Sequence, residues 1–121
     1  VGLAGHGRCG IDIQFFNETL FKVRHRFCAD VEAAVLDQLP ADELVQLGLL
    51  WVAKEAIRKC FSGSRIVGFR ELKLFRAYEE HGYYNLQFQP GLEGITLSSD
   101  NSLSVIAHHD ESYAIAVCTA E

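Results

Sequence analysis

No stretch of this sequence approaches the ~20 apolar residues that a membrane-spanning helix requires. No pattern of a secretory signal peptide is visible either. The formal charge of −5 has the wrong sign for a general nucleic-acid binder. Cysteines are few, scattered and without a Cys-x-x-Cys pair; they are Cys9, Cys28, Cys60 and Cys118. Four cysteines could form two disulfides in a secreted protein, but their scatter does not resemble a disulfide-dense scaffold. We therefore expect reduced thiols, a cytoplasmic location, and neither membrane nor nucleic-acid partners.

Repeats, linkers and low-complexity tracts are also absent, so we expect a single domain over residues 1–121. With 49% hydrophobic and 22% charged residues, the composition is that of a folded chain. This length can bury one core, but it is close to the size at which an oligomer helps stability. The first residue is Val1 instead of methionine, which suggests a segment cut from a longer polypeptide.

The first half of the chain predicts one strand followed by helices. Residues 8–16 alternate apolar and polar side chains, the period of a half-buried strand, so Asp12 and Gln14 share one face. Residues 17–39 are expected to be helical through much of their length. A second helix is expected between residues 40 and 61, because Pro40 and the acids after it suit a helix start and the glycine in "SGS" suits its end.

The second half of the chain predicts short strands. Segments rich in aromatic and β-branched residues alternate with turn signals such as His81-Gly82 and Asp110-Glu111. The predicted strands are residues 68–78, 83–89, 94–99, 102–109 and 112–120. We therefore expect an α+β domain with helices packed on an antiparallel sheet.

One charged residue interrupts the apolar pattern of the second predicted helix. At 100° per residue, six apolar side chains cover about half the circumference, and Lys54 projects into the middle of that arc. The six are Leu44, Leu47, Leu50, Trp51, Ile57 and Phe61. A buried ammonium is costly unless a negative group meets it, although the long stem could also carry it past its neighbours to water.

Two motifs resemble the 4′-phosphopantetheinyl transferases. Gly-Ile-Asp occupies residues 10–12, and Trp-x-x-Lys-Glu-Ala-x-x-Lys follows about forty residues later at 51–59. The first motif alone is weak, but the two in this order are specific. The resemblance implies the fold of that family and covers most of the chain.

What the resemblance implies is a Mg²⁺-dependent transfer. The phosphopantetheine arm of coenzyme A moves to a serine of an acyl or peptidyl carrier protein, releasing adenosine 3′,5′-bisphosphate. Asp12 and Glu55 would bind Mg²⁺, which takes one or two carboxylates together with phosphate oxygens. Lys54 and Lys59 would neutralise the pyrophosphate, so that it, Glu55 and Asp12 would be the negative partners of Lys54. Glu55, or a metal-bound water, would be the base.

The sequence departs from the family in two ways. Members of the larger, surfactin-synthetase-activating type commonly carry a third acid two residues past the aspartate, where this chain has Gln14. Gln14 is still a candidate metal ligand through its carbonyl oxygen, but it adds no charge. Two-domain members have a further half upstream, so we expect either a homotrimer or completion by an adjacent domain. A catalytically weak or inert domain that binds coenzyme A or a carrier protein is the alternative function.

Simpler interpretations accompany several of these features. Glu55 and Lys59 are four residues apart and could form an ordinary surface pair. The basic segment 22–26, which includes Arg26, is either a solvated helix face or a contact for nucleotide phosphates or an acidic carrier protein. "HHDE" at 108–111 predicts a hairpin turn instead of a metal site. "GLAGHG" at 2–7 lacks the context of a phosphate loop.

Overall fold

The computed structural model of the chain describes residues 8–61, 69–90 and 103–120. Within these residues the chain forms five strands and three α-helices, with short 3₁₀ helices at Arg24–Arg26 and Phe69–Glu71. The elements are β1 (Arg8–Phe15), α1 (Thr19–Lys22), α2 (Asp30–Leu36), α3 (Glu43–Cys60), β2 (Leu72–Glu80), β3 (Tyr83–Pro90), β4 (Leu103–His109) and β5 (Tyr113–Ala120). The predicted strand 94–99, the predicted helix cap at Gly63 and the segment 2–7 lie outside the described residues.

The five strands form one antiparallel sheet in the order β1-β5-β4-β3-β2. Strands β2 to β5 follow one another as a meander, and β1 joins the sheet beside β5. The predicted α+β architecture with helices on an antiparallel sheet is therefore confirmed. His81 and Gly82 form the β2–β3 turn, where both residues have positive φ angles of 55° and 84°.

The long helix α3 is the central element of the core. Asp42 caps its start by accepting a hydrogen bond from the backbone N–H of Val45 at 3.0 Å. The helix ends in the basic residues Arg58 and Lys59, which suit the negative end of the helix dipole. One face of α3 packs on β1, β5 and β4. Its fully buried residues include Leu49, Leu50, Val52, Ala53, Lys54, Ala56 and Ile57.

The segment predicted as one long helix over 17–39 is divided into three short pieces. The chain leaves α1 at Val23 and passes through the 3₁₀ helix Arg24–Arg26, and α2 starts only after an extended Ala29. Between these pieces, the carbonyl of Phe27 accepts a hydrogen bond from Lys54 Nζ at 2.6 Å. This tertiary contact holds the interruption between α1 and α2 in place. Local helix propensity gives no indication of it.

Candidate active site

A glycine lets β1 cross α3 at close range. A Cβ built on Gly10 would overlap the carbonyl oxygen of Ala56 and lie 2.6 Å from the backbone nitrogen of Cys60. Further along, the Phe16 ring lies directly against Gly48 of the same helix. The strand therefore runs antiparallel to α3. Because side chains of a strand alternate, Asp12 shares the helix-facing side with Gly10.

The first motif meets the second through an ion pair. Lys59 Nζ donates a hydrogen bond to Asp12 Oδ1 at 2.8 Å, across 47 residues of sequence. The Asp12 side chain is 12% exposed, whereas that of Lys59 is 53% exposed. The carboxylate of Asp12 is thus held at the last turn of α3 and is only slightly exposed.

Glu55 lies one helical turn before Lys59 on the same face of α3. Its carboxylate accepts a hydrogen bond from Arg58 at 2.9 Å, and its side chain is 21% exposed. The alternative of a Glu55–Lys59 surface pair is not the arrangement seen, because each of the two has a different partner. The contact between the first motif and α3 is therefore made by Lys59, while Glu55 pairs with Arg58 one turn before the end of the helix.

Gln14 is the next residue of β1 on this face, and it is partly buried. Its amide Nε2 donates to the carbonyl of the neighbouring Phe15 at 2.8 Å. The side-chain carbonyl oxygen is the atom that the metal-ligand prediction requires. That role stays a prediction.

Lys54 has a negative partner that the sequence analysis did not identify. The side chain is fully buried, and its ammonium lies 2.9 Å from Glu32 Oε2 and 3.0 Å from Glu32 Oε1. The expectation that Asp12 and Glu55 meet Lys54 is therefore wrong, because Glu32 of α2 occupies that position. The alternative that the lysine stem carries the ammonium to water is wrong too.

The ammonium of Lys54 also donates to two backbone carbonyls, Phe27 at 2.6 Å and Phe69 at 3.0 Å. An ammonium has three N–H donors, so the two carbonyls and the carboxylate satisfy it completely. Burial lowers the pKa of Lys54 below its ordinary value, and the adjacent Glu32 carboxylate opposes part of that shift. A contact of Lys54 with phosphate stays a prediction.

Glu32 connects α2 to two other elements of the fold, α3 and β2. Its Oε1 accepts from the backbone N–H of Ala29 at 3.0 Å, and its Oε2 accepts from Leu74 on the edge strand β2 at 2.9 Å. Together with Lys54, it thereby joins α2, α3 and β2 in one buried network. From sequence, the available signal was a glutamate three residues after the N-cap Ala29 of α2, which suits a helix N-terminus but does not show burial.

The basic segment 22–26 lies at the end of α1 and in the 3₁₀ helix that follows. Arg24 pairs with Glu43 at 2.8 Å, while Lys22 and Arg26 are exposed. The predicted contact of Arg26 with a phosphate of the nucleotide stays a prediction.

Two further regions of the described chain do not contribute to the surface around Asp12. His108 and His109 end β4, and Asp110 accepts the backbone N–H groups of Ser112 and Tyr113 in a hairpin turn, as predicted. A cavity of about 250 Å³ lies instead beside α2. Its lining consists of Phe27, Cys28, Ala29, Val31, Glu32 and Lys73.

A family model for the 4′-phosphopantetheinyl transferase superfamily matches residues 8–118. The chain belongs to this superfamily. The match spans β1 through β5 and includes both motifs. No curated protein matches the chain. Members of the superfamily transfer phosphopantetheine from coenzyme A to carrier proteins, generally with a divalent metal.

The residues at the crossing of β1 and α3 fit the metal that the superfamily generally uses. Over residues 8–61, 69–90 and 103–120, no three His, Cys, Asp or Glu side chains gather as a complete metal site. The available donors are two partly exposed carboxylates, Asp12 and Glu55, and the amide oxygen of Gln14. Hard oxygen donors of this kind suit Mg²⁺, which often completes its coordination with substrate phosphates and water.

As predicted, the four cysteines are reduced thiols in the structure. Among the helices described, none has the length and apolar composition needed to cross a membrane.

Proposed function

We propose that this domain transfers the 4′-phosphopantetheine arm of coenzyme A to a serine of an acyl or peptidyl carrier protein, with Mg²⁺ as cofactor. Membership of the superfamily supports the type of reaction. The observation that carries the proposal for this chain is the Asp12–Lys59 ion pair, because it joins an acid of β1 to the face of α3 that bears Glu55. A cytoplasmic setting is part of the proposal, supported by the four reduced thiols.

The metal ligands in this proposal are Asp12, Glu55 and Gln14. When bound, Mg²⁺ would offset the charge of the diphosphate of coenzyme A. Lys59 is half exposed and close to Asp12, so it could exchange its carboxylate partner for a phosphate oxygen. Arg26 is exposed and would contact another phosphate of coenzyme A. Lys54 would reach the diphosphate only by giving up one of its three hydrogen-bond acceptors. These contacts favour a structural role for Lys54, which holds in place the part of α3 that bears Glu55.

The chemistry requires a base for the serine hydroxyl of the carrier protein. In the proposed step, Glu55 accepts the hydroxyl proton while the serine oxygen bonds to the phosphorus of the phosphopantetheine group. The bond from that phosphorus to the bridging oxygen of the diphosphate breaks, and adenosine 3′,5′-bisphosphate leaves with the bridging oxygen. Lys59 would stabilise the charge that develops on this leaving group.

The carrier protein would bind beside the basic segment 22–26. Lys22 and Arg26 are exposed there and offer positive charge to a partner that is acidic around its modified serine. A homotrimer or an adjacent domain would supply the rest of the coenzyme A pocket in this proposal.

A second candidate function is binding of coenzyme A or a carrier protein with little or no transfer. Two observations favour it. Gln14 adds no negative charge beside Asp12, and both carboxylates of the candidate site already have basic partners, Lys59 and Arg58. These pairings would compete with Mg²⁺ for the same oxygen atoms.

A mass measurement separates the two functions. The chain would be incubated with coenzyme A, Mg²⁺ and an apo carrier protein, and the carrier protein would then be weighed by mass spectrometry. Transfer predicts a gain of one phosphopantetheine arm that stops when a chelator removes Mg²⁺. Bound coenzyme A without any mass gain would favour the second function, and the absence of both would contradict the proposal.

A further inference from the structure

Arg58 is held between a carboxylate and an aromatic ring. One of its guanidinium nitrogens, Nη1, donates a hydrogen bond to Glu55 Oε1 at 2.9 Å. The central carbon of the guanidinium lies 4.8 Å from the centre of the Phe69 ring. Stacking uses the face of a guanidinium, so the N–H groups along its edge stay available for hydrogen bonds. The ring therefore fixes the position of Arg58 without determining which anion it binds.

The core holds this ring in place. The centre of the Phe69 ring lies 4.8 Å from that of Trp51, which in turn lies 5.2 Å from that of Phe27. The backbone carbonyls of Phe27 and Phe69 both accept hydrogen bonds from the buried ammonium of Lys54. Arg58 thus lies on a ring that is tied to the interior, and its guanidinium can keep this position if the Glu55 carboxylate turns away.

The bond between Arg58 and Glu55 can be exchanged at low cost. The two residues are three positions apart on α3, and their side chains are 36% and 21% exposed. Partly exposed pairs of this kind contribute little to stability. A phosphate group is a strong alternative acceptor, because arginine can bind it through two parallel N–H bonds. Lys54, by contrast, uses all of its donors in the interior, so Arg58 is better placed to bind a phosphate.

The charges of the candidate site balance before any ligand binds. Asp12 is paired with Lys59. Glu55 is paired with Arg58, so that two carboxylates meet two cations. A divalent metal ion on the carboxylates would release both cations and leave a surplus of positive charge. The diphosphate of coenzyme A carries one negative charge on each phosphate, which offsets this surplus. Metal and diphosphate should therefore bind more favourably together than either does alone.

We propose that Arg58 is a diphosphate-binding residue, whose guanidinium exchanges the Glu55 carboxylate for a phosphate oxygen of coenzyme A when the metal ion binds. This role rests on the proposed transfer function and adds a residue to that site. Arg58 stays on the Phe69 ring during the exchange. It opposes metal binding while the diphosphate is absent, and it favours diphosphate binding once the metal is present.

Isothermal titration calorimetry of Arg58→Met tests both directions. Without coenzyme A, the variant should bind Mg²⁺ about three- to tenfold more tightly than the wild type, because Arg58 no longer competes for Glu55. At saturating Mg²⁺, it should bind coenzyme A about tenfold more weakly, because one arginine–phosphate contact is lost. A merely structural role of Arg58 would not shift the two affinities in opposite directions.

Dephospho-coenzyme A identifies the phosphate that Arg58 binds. This ligand keeps the diphosphate but lacks the 3′-phosphate of coenzyme A. Arg58→Met should weaken the binding of both ligands by the same factor. A loss seen only with coenzyme A would mean that Arg58 binds the 3′-phosphate, and it would overturn the proposal.

Arg76→Met is the matched control. Arg76 also stacks on an aromatic ring, with its guanidinium carbon 4.9 Å from the centre of the Tyr78 ring. It lies on β2, at the opposite edge of the sheet from β1. The substitution removes the same charge and should leave the affinities for Mg²⁺ and coenzyme A unchanged. Arg58→Gln takes the place of Arg58→Met if circular dichroism shows that the latter fails to fold.

An unchanged affinity of Arg58→Met for Mg²⁺ or for coenzyme A would overturn the role of Arg58, and so would equal shifts in Arg76→Met. The mass-gain assay keeps this result separate from the proposed function. Transfer by the wild type, together with unchanged affinities in Arg58→Met, would exclude the role of Arg58 and leave the function intact. Opposite shifts without any transfer would support the role of Arg58 and contradict the transfer function.

Discussion

Two lysines of α3 differ in burial, and this difference separates a structural charge from a charge at the candidate site. Lys59 is half exposed and pairs with Asp12, whose side chain is slightly exposed. Lys54 is fully buried, and all of its donors are used within the protein. Exposed pairs contribute little to stability, whereas breaking a buried pair leaves a desolvated charge without a partner.

Removing either member of the Lys54–Glu32 pair should destabilise the fold strongly. We expect Lys54→Met and Glu32→Gln each to lower the free energy of unfolding by roughly 3–5 kcal/mol, because each leaves a buried polar group unsatisfied. The double variant should lose less than the sum of the two. Urea unfolding would measure all three.

The exposed pair Arg24–Glu43 serves as the comparison for this experiment. Its side chains are separated by 2.8 Å, a distance close to that of Lys54–Glu32, but both are largely exposed. Arg24→Met should therefore cost no more than about 1 kcal/mol. Losses of equal size at Arg24 and Lys54 would contradict the assignment of Lys54 as a buried structural charge.

Glu55→Gln should remove transfer and leave the fold in place. The substitution keeps the shape of the side chain but eliminates the charge and the proton acceptor. The cost in stability should be a few tenths of a kcal/mol, because the Glu55–Arg58 pair is a partly exposed pair three residues apart on a helix. The mass-gain assay measures transfer, and thermal unfolding measures stability.

Glu43→Gln is the matched control for Glu55→Gln. Glu43 lies on the same helix with its own arginine partner, but it is in the first turn, far from Asp12. It should retain transfer. Wild-type rates in Glu55→Gln, or an equal loss in both variants, would exclude Glu55 as the base.

At the scale of elements, α3 and the strands could be predicted because their signals are local. The alternation of apolar and polar residues predicted the bounds of β1 to within one residue, and the Pro40–Asp42 region predicted the start of α3. The interruption between α1 and α2 could not be predicted, because it depends on the bond between the Phe27 carbonyl and Lys54. Glu32 could not be identified as the partner of Lys54 either, because the two residues are 22 positions apart and meet only after α2 has packed beside α3.

The crossing of β1 and α3 makes Gly10 a sensitive position. Gly10→Ala would push the strand away from the backbone of Ala56 and Cys60, since neither atom belongs to a flexible side chain. We expect a loss of about 1–3 kcal/mol or more in stability. We also expect the Asp12–Lys59 ion pair to weaken and the transfer of phosphopantetheine to slow as a result.

Gly48→Ala offers a contrast at the other end of the same crossing. There the added methyl group meets the ring of Phe16, a side chain that can rotate, and alanine favours the helix over glycine by ~1 kcal/mol. Gly48→Ala should thus cost less than Gly10→Ala in urea unfolding. The reverse order would show that the close backbone approach at Gly10 is not what limits the packing of β1.

At the scale of the whole molecule, sequence patterns predicted the layer of helices and the antiparallel sheet. The candidate active site depends instead on contacts between segments that are distant in sequence. The β2–β3 and β4–β5 hairpins are predictable because turn residues at 81–82 and 110–111 join their strands. The resemblance named Asp12, Glu55 and Lys59, and the structure brings Asp12 to Lys59. No local sequence signal predicts that β1 pairs with β5. This pairing places Gly10 opposite Cys118 and so determines which residues face the end of α3.

That pairing gives the whole fold a dependence on alkaline pH. Burial is the main cause that raises the pKa of the Cys118 thiol above its ordinary value of 9.0, and the neighbouring Cys60 adds to the shift. In the unfolded chain the thiol ionises first, so its contribution to stability is complete below pH 9 and declines above it. The wild type should therefore exceed Cys118→Ala in free energy of unfolding by a margin that shrinks by up to about 1.4 kcal/mol per pH unit above that value.

Val105→Ala is the control, because it removes buried volume from the position on β4 that pairs with Cys118 without removing a titrating group. Urea unfolding across the alkaline range should give a constant difference for Val105→Ala. A constant difference for Cys118→Ala as well would mean that its thiol ionises equally well in the folded and unfolded chains.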